Sequence, residues 1–503
     1  MASGSGSAST SIDIEGLLKE VPDSMQTTLP EEMCIYHVPV NIRQVNKDAY
    51  TPQVICIGPI HQKIENQVMK ELKRIYFRQF LDRLRVVEEG KLVETLVKTI
   101  TRCVDKIRNC YEDAAFEPRK DPKGCEVEIL DCSEDDSSKL CEDQKEFCKM
   151  ILWDAVFIFE LFLKHRELKE DKKSQGKKDT EEYQEKYKYD YIIAKPWLRA
   201  AIRRDLILLE NQLPFWILDD LYGIVSKYII TGCSCPPETD KTCCSCLPKT
   251  DCCCPCITFP ALARTFFKKY NKSNNNTSPE KPLHFTDLVR SFFLPKETSP
   301  EKPLHFTDPV RCCLLPKKPS TRIELRATRL DQAGVKFMPK ADEYLIKIRS
   351  WTEDDSIKKG ELHVPTLKID DHTDCIFRNL MALEQCHYPY EAFIRGYVIF
   401  LDCLVDSKED VDLLIKNEVI VNKLGESDDV AKLINKLCKE ITEVSSLYDN
   451  TAKGLNDYYE SWYNNWKTYL RRQYFKNVWV GTGTVVGFLV VVSTLGSFVQ
   501  SFF

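Results

Sequence analysis

Three adjacent polar residues and a proline interrupt a long apolar run near the middle of the chain. The stretch LLENQLPFWILDDLY places Glu210, Asn211 and Gln212 almost directly before Pro214. Proline has no N–H to donate, and its ring crowds the preceding helical turn. A helix that runs from about Ala200 must therefore break or kink at this point.

These polar residues have either a catalytic or a structural explanation. A broken helix leaves backbone groups without partners, and buried polar groups need hydrogen bonds. We predict that Asn211 and Gln212 satisfy the freed carbonyl and N–H groups, and that Arg203 or Arg204 pairs with Glu210. The sequence places no nucleophile or metal ligand beside them, which favours the structural explanation.

The composition is that of a globular protein with a large core. Of the 503 residues, 43% are apolar and 29% are charged, and the net charge is only −5. The Lys-rich stretches also contain Glu and Asp, so they lack the basic character typical of nucleic-acid binding. We expect no nucleic-acid partner.

The C-terminus carries no charge between Val478 and Phe503. A helix of this length spans roughly 39 Å, whereas the hydrocarbon core of a bilayer is about 30 Å thick. This pattern predicts a transmembrane helix with the lipid bilayer as its partner. Arg471, Arg472 and Lys476 precede it, which predicts by the positive-inside rule that the rest of the chain faces the cytosol.

Two further features bear on this membrane prediction. Asn271 and Asn275 begin glycosylation sequons, which are used only in the secretory lumen and would reverse the topology. Gly483 and Gly487 form a G-x-x-x-G pattern, which predicts self-association of the terminal helix, although glycine is also common in membrane helices.

The periodicity predicts a mainly α fold with a few short β-strands, in the α+β class, followed by the single C-terminal transmembrane helix. Short strands are expected over residues 35–42 and 54–57. Amphipathic helices follow from about residue 65 to 114, and KEFCKMILWDAVFIFELFLKH predicts a central core helix. Further on, Gly334 is expected to end a helix, and Ser407 with Asp410 resembles a capping box.

Composition also predicts how the chain is divided. The predicted parts are a disordered leader (1–30), the N-terminal part of a helical domain (31–228), a largely irregular insertion (229–322), the C-terminal part of that domain (323–475) and the terminal helix (478–503).

The predicted insertion contains a local repeat. TSPEKPLHFTDLVR at Thr277 recurs as TSPEKPLHFTDPVR at Thr298, and the two copies differ at Leu288 and Pro309. Two copies are too few for a solenoid, which indicates a local duplication. Because proline is poorly suited to a helix interior, we expect only the first copy to keep the local structure.

Nine cysteines cluster in the insertion, at Cys233, Cys235, Cys243, Cys244, Cys246, Cys252, Cys253, Cys254 and Cys256. Thiolates at this density favour soft metals, but the spacing is not that of a zinc finger. Acylation near a membrane and an inert or disulfide-linked insertion are the alternatives.

The sequence contains no G-x-S-x-G elbow, P-loop, dinucleotide fingerprint or H-E-x-x-H motif. We therefore predict that the chain is not an enzyme and has no cofactor. An enzyme of an unrecognised class and a metal-binding protein based on the cysteine cluster are the alternatives.

A family resemblance rests on four segments in order along the chain: IYHVPVNIRQVNKDAYTPQVICIGPIH, DLILLENQLPFWILDDLY, LHVPTLKIDDHTDCIFRNLMALEQC and SKEDVDLLIKNEVIVNKLGESDDVAKLINKLCKEI. Together with RATRLDQAGVKF and WKTYLRRQYFKNVW, they resemble the plant family Domain of Unknown Function 247. The cysteine cluster and the doubled LHFTD segment depart from the usual family pattern.

The resemblance implies a largely helical land-plant protein that is membrane-anchored and has no known catalysis. Some relatives are implicated in pollen–stigma self-recognition in grasses. We therefore expect a non-enzymatic recognition or signalling protein at the plasma membrane that acts through an unidentified protein partner.

Overall fold

The computed structural model describes residues 30–84, 88–113, 142–174, 187–229, 257–271, 281–295, 326–340, 344–350, 352, 354, 357–442, 447–461 and 478–500. Within these ranges the chain is mainly helical with a few short strands, so this part of the predicted fold class is confirmed.

Helices make up most of the described chain. The first half contains α1 (Val40–Val45), α2 (Gln67–Arg83), α3 (Glu89–Arg102), α4 (Val104–Asn109), α5 (Glu142–Ser174), α6 (Pro196–Asp205), α7 (Phe215–Val225), α8 (Phe259–Phe267) and α9 (Phe285–Ser291). The second half contains α10 (Ala327–Gln332), α11 (Thr373–Cys386), α12 (Phe393–Leu404), α13 (Lys408–Lys416), α14 (Ser427–Leu437), α15 (Asp449–Glu460) and α16 (Val478–Gln500). Short 3₁₀ turns cover Lys47–Ala49, Gln62–Ile64 and Ser226–Tyr228.

The strands lie in the second half and form two small sheets. They are β1 (Lys336–Lys340), β2 (Arg349–Ser350), β3 (Glu361–Pro365), β4 (Leu367–Ile369) and β5 (Ile420–Asn422). In the first sheet β3 is central, with β1 parallel and β2 antiparallel to it. In the second sheet β4 pairs in parallel with β5.

The two strands predicted near the N-terminus are wrong. Residues 40–45 form α1, and Ile35 makes only an isolated bridge with Tyr111. Residues 54–57 carry no strand assignment. Their N–H groups bind the side chains of Asp205 and Asn211 instead of a neighbouring strand, which explains why an apolar run in this position is not part of a sheet.

The long helix α5 is the centre of the first half, which confirms the predicted core helix. Its residues from Ile151 to Phe162 are buried on most sides, and α2, α3 and α8 pack against it. On α2, Met69, Leu72 and Tyr76 recur at steps of three and four residues, so one face of that helix is directed at α5.

Helices α8 and α9 lie inside the range predicted to be a largely irregular insertion. Both contribute aromatic side chains to the core around Phe162 of α5. The ring centroid of Phe162 lies 4.4 Å from that of Phe266 and 5.6 Å from that of Phe285. Burying several aromatic rings stabilises a fold strongly, so these parts of the range belong to the core.

Two local predictions for the second half are confirmed. Ser407 and Asp410 form a capping box at the start of α13. Gly334 follows α10 with a φ of +96°, and the N–H of Val335 donates to the carbonyl of Leu330, as in a glycine-terminated helix.

The predicted transmembrane helix is wrong. Within the part of the chain that the structure describes, no helix combines the length and the apolar character needed to cross a membrane. Localisation at the plasma membrane and self-association through Gly483 and Gly487 stay predictions.

Candidate functional site

The loop between α6 and α7, residues 206–214, is held by its own amide side chains. Helix α6 ends at Asp205, and Pro214 is the residue before α7. The Nε2 of Gln212 donates to the carbonyls of Leu206 at 2.8 Å and Leu208 at 2.7 Å. The Nδ2 of Asn211 donates to the carbonyl of Asp205 at 2.9 Å. These bonds satisfy carbonyls that the end of α6 leaves free.

The same loop holds residues 53–58 of the N-terminal segment, by which we mean residues 34–61. The Oδ1 of Asn211 accepts from the N–H of Ile57 at 2.6 Å, and its Nδ2 donates to the carbonyl of Ile55 at 3.0 Å. The Oδ2 of Asp205 accepts from three successive N–H groups, those of Gln53, Val54 and Ile55. Two buried side chains therefore replace the strand partner that this segment lacks.

Glu210 is paired with the N-terminal segment and not with α6. It accepts from the N–H of Val38 at 2.7 Å, contacts Arg43, and lies 3.0 Å from the Nε2 of His61. Burial would raise the pKa of Glu210, but the hydrogen bonds from His61, Arg43 and Val38 outweigh it and lower that pKa.

The predicted pairing of Glu210 with Arg203 or Arg204 is therefore wrong. Arg204 pairs with Asp205 at 2.7 Å, and Arg203 donates to the carbonyl of Phe266 at 2.9 Å. Both arginines lie on the last turn of α6, where carbonyl groups and Asp205 are closer partners than Glu210.

The first copy of the LHFTD segment meets the loop from the other side. The Oε1 of Gln212 accepts from the N–H of Phe285 at 2.9 Å, and the carbonyl of Leu283 accepts from the N–H of Phe215 at 2.7 Å. His284 connects the segment to the carbonyl of Cys34 at 3.1 Å. Burial lowers the pKa of His284 to about 4, so its ring is neutral near pH 7.

Helix α11 supplies partners that the sequence did not reveal. The Oδ1 of Asn379 accepts from the N–H of Leu209 at 2.9 Å, while its Nδ2 donates to the carbonyl of Ala49 at 2.7 Å. Glu384 accepts from Arg290 of α9 at 3.0 Å. The available signal was the presence of Asn379 and Glu384 within the apolar part of RNLMALEQC.

We call the set formed by Asp205, Glu210, Asn211, Gln212 and Asn379 the polar junction. Each side chain bonds backbone groups of another segment, and together they join the N-terminal segment, the α6–α7 loop, α9 and α11. The carboxylates and amides of the polar junction thus act as partners of the main chain. Such fully bonded buried networks fix one arrangement of segments.

A different kind of surface lies on the segment before α6 and on the first turn of α6. Tyr189, Tyr191 and Trp197 are 82%, 46% and 65% exposed. We call these three residues the aromatic surface. The segment that carries it is fixed by Asp190, whose Oδ1 accepts from the N–H groups of Ile192 at 3.0 Å and Ile193 at 2.7 Å.

Asp190 also connects the aromatic surface to the core helices. It accepts from the hydroxyl of Tyr76 on α2 at 2.9 Å and from Lys164 on α5 at 2.5 Å. Burial would raise the pKa of Asp190, but its backbone bond to Ile193 and the contact with Lys164 lower that pKa. The carboxylate is thus held ionised, and its hydrogen bonds hold the segment that carries the exposed rings in place.

The remaining predicted site residues have varied positions. All nine residues of the cysteine cluster lie outside the described residues, as do Asn275 and Phe503. Asn271 lies just after α8, where its N–H donates to the carbonyl of Lys268 at 3.1 Å. Across the described ranges, His, Cys, Asp and Glu form no group of three or more suited to a metal ion.

Comparisons with known proteins identify relatives in one plant. The chain is 26% identical over 490 residues to UPF0481 protein At3g47200 of Arabidopsis thaliana, covering 92% of this chain and 85% of the relative. It is 30% identical over 168 residues to Putative UPF0481 protein At3g02645 of the same plant, covering 33% of this chain and 30% of the relative. No solved structure matches.

The family comparison covers most of the chain, including the polar junction and the aromatic surface. The sequence profile described as plant protein of unknown function matches residues 35–493. The resemblance inferred from the α6–α7 loop and the other segments is confirmed by this match. The chain therefore belongs to the plant family Domain of Unknown Function 247.

Proposed function

We propose that this chain is a non-enzymatic recognition protein that binds an acidic segment of a protein partner through the aromatic surface. The observation that carries the proposal is the exposure of Tyr189 and Tyr191 on the anchored segment and of Trp197 on the first turn of α6, which follows it. Tyr and Trp are enriched among the residues that contribute most to protein–protein binding.

The anchoring by Asp190 supports this proposal. Binding costs free energy when side chains and loops must be ordered at the interface. Because Asp190 is bonded to Tyr76, Lys164 and two backbone N–H groups, the segment is already ordered before a partner arrives. A larger share of the contact free energy then appears as affinity.

Charge on the aromatic surface favours an acidic partner. The ammonium of Lys195 lies 3.1 Å from the ring centroid of Tyr191, and that of Lys188 lies 5.4 Å from the ring centroid of Tyr189. Asp190 lies between these two lysines in the sequence, and its carboxylate already accepts a hydrogen bond from the N–H of Ile193. Complementary charge steers association and excludes partners of like charge, so we expect carboxylates in the partner.

The polar junction supports a role without catalysis. Its carboxylates and amides are directed at backbone groups of neighbouring segments. A general acid or base must instead reach a proton on a substrate. We therefore assign the polar junction to the architecture of the protein and the aromatic surface to binding.

Selection from a displayed random-peptide library on the immobilised full chain tests the proposal. We expect recovered peptides to be rich in Asp and Glu and to bind the Trp197→Ala chain at least about tenfold more weakly, which corresponds to a loss of about 1.4 kcal/mol or more. Tyr228→Ala, which changes an aromatic residue 41% exposed after α7, is the matched control and should bind as the wild type does.

Two results would refute the proposed function. One is recovery of peptides without an excess of acidic residues. The other is equal binding to wild type and Trp197→Ala, with melting curves that show both chains folded. A screen of hydrolase and transferase substrates adds an independent check, since turnover that one substitution abolishes would show an enzyme.

A further inference from the structure

Cys34 and Cys110 are neighbours across a contact between two backbone segments. The N–H groups of Cys34 and Ile35 both donate to the carbonyl of Cys110, at 3.0 and 2.8 Å, and the next residues, Ile35 and Tyr111, form a parallel bridge. Segments paired in this way lie about 4.8 Å apart. This separation falls within the range of about 4.4–6.8 Å between the Cα atoms of disulfide-linked cysteines.

The two thiols also influence each other's ionisation. The Sγ of Cys110 donates to the carbonyl of Lys106 at 3.3 Å. The thiol of Cys34 lowers the pKa of Cys110, and Trp216 adds to this effect against the opposing effect of burial. The thiol of Cys110, together with burial, raises the pKa of Cys34. Cys110 is therefore the better nucleophile of the pair.

We propose that Cys34 and Cys110 are a redox modification site, which forms an intramolecular disulfide by exchange with a small disulfide such as glutathione disulfide. The Cys110 thiolate attacks one sulfur of glutathione disulfide, and the first glutathione leaves with the proton that Cys110 has lost. The Cys34 sulfur then attacks Cys110 in the mixed disulfide, and the second glutathione leaves with the proton of Cys34. Two electrons pass from the pair to glutathione disulfide.

Access to the thiols is limited in the folded chain. Cys34 is 3% exposed and Cys110 is 1% exposed. Exchange therefore requires the segment around Cys34 to separate from its neighbours and to lose the hydrogen bond that the Cys34 carbonyl accepts from His284. We expect slow exchange under native conditions and faster exchange in mild denaturant, which increases the population of locally open states.

The disulfide would act on the polar junction. Tyr111, which follows Cys110, donates from its hydroxyl to the carbonyl of Gln212 at 2.9 Å. The carbonyl of Cys34 binds His284 of the LHFTD segment. A covalent link between Cys34 and Cys110 would therefore hold the chain around Cys34 against the chain that follows α4, next to Gln212 of the polar junction and His284 of the LHFTD segment.

The first test maps disulfides in the full chain. Wild-type protein is equilibrated with glutathione at several ratios of oxidised to reduced form, in buffer and in mild urea. Free thiols are then alkylated, and the digested peptides are analysed by mass spectrometry. We expect a linked peptide containing Cys34 and Cys110 that increases with oxidised glutathione and disappears with dithiothreitol. Alkylation of both residues at every ratio, or glutathione on Cys110 without the link, would refute the proposal.

The second test measures melting temperature in the oxidised and reduced states. The link closes a long loop, so the oxidised wild type should melt several degrees above the reduced form. Cys34→Ser should abolish this difference. Cys148→Ser, which changes another buried cysteine on α5, should retain it. A difference that persists in Cys34→Ser would show that another cysteine pair is responsible.

Discussion

Asn211 and Ile57, which are 154 residues apart in the sequence, are joined by a 2.6 Å hydrogen bond between the Asn211 Oδ1 and the Ile57 N–H. The same side chain donates to the carbonyls of Ile55 and Asp205. One amide thus binds both the N-terminal segment and the end of α6. The stability of the chain should depend strongly on this residue.

Replacing Asn211 by Leu should destabilise the protein. The change leaves the N–H of Ile57 and the carbonyl of Ile55 without their partner and removes one of two hydrogen bonds to the carbonyl of Asp205. Each buried group left unpaired costs about 1–3 kcal/mol. Chemical denaturation should show a lower free energy of unfolding, while Gln62→Leu on an exposed 3₁₀ turn should show little change. An unchanged melting temperature for Asn211→Leu, with partner binding lost, would point to a direct binding role for the loop.

Gly58 should not tolerate a side chain. Its φ is +74°, and a Cβ placed there would lie 2.5 Å from the carbonyl oxygen of Gln212. A non-glycine residue in this backbone region costs about 1–3 kcal/mol, and the contact adds to that cost. We expect Gly58→Ala to lower the free energy of unfolding by at least this amount.

Gly223 on α7 is the matched control for Gly58. An added Cβ there meets no atom within 4 Å, and the residue lies inside a helix. Gly223→Ala should leave stability unchanged or raise it by up to about 1 kcal/mol, because alanine has the higher helix propensity. Equal effects of the two substitutions in a denaturant titration would contradict the close approach of Gly58 to Gln212.

Glu210 should make stability depend on pH in a defined direction. Its folded-state pKa is lowered, so the ionised group stabilises the folded chain above the unfolded pKa of about 4.3. This stabilisation is lost as pH falls through the folded pKa. The stability difference between wild type and Glu210→Gln, measured by denaturation from pH 7 to pH 3, should therefore narrow as pH falls.

Glu384 provides the opposite case for comparison. Burial raises the pKa of Glu384 more than Arg290 lowers it. Glu384 therefore stabilises the folded chain below its unfolded pKa, and this stabilisation is lost as pH rises through the folded pKa. The stability difference between wild type and Glu384→Gln should change with pH in the sense opposite to that for Glu210. If the two stability differences changed with pH in the same sense, the pKa of Glu210 or of Glu384 would be shifted in the opposite direction.

Local features of the fold could be predicted from the sequence because their causes are local. The capping box of Ser407 and Asp410 and the helix end at Gly334 each depend on residues within one turn. The central helix α5 follows from the apolar run MILWDAVFIFELFL, which only Asp154 and Glu160 interrupt.

Partners that are distant in the sequence could not be predicted. The choice of Arg43 over Arg203 for Glu210, and the use of Asp205 and Asn211 in place of a neighbouring strand, depend on how the α6–α7 loop and the N-terminal segment assemble. The transmembrane prediction failed for a different reason. It relied on the length and the lack of charge of the C-terminal stretch, and no described helix meets both the length and the apolar character that a membrane span requires.

The repeat allows two substitutions in nearly identical sequence contexts to be compared. Phe285, in the first LHFTD copy, is buried against Phe162 and Phe267. Phe285→Ala should cost about 3–5 kcal/mol, as expected for removing a buried phenyl ring.

Phe306 occupies the same place in the second copy, which lies outside the described residues and carries Pro309 where the first copy has Leu288. Because the sequence predicts that only the first copy keeps the local structure, Phe306→Ala should change the free energy of unfolding by less than about 0.5 kcal/mol. Paired denaturant titrations decide the matter, since equal losses would show that both copies are packed in the core.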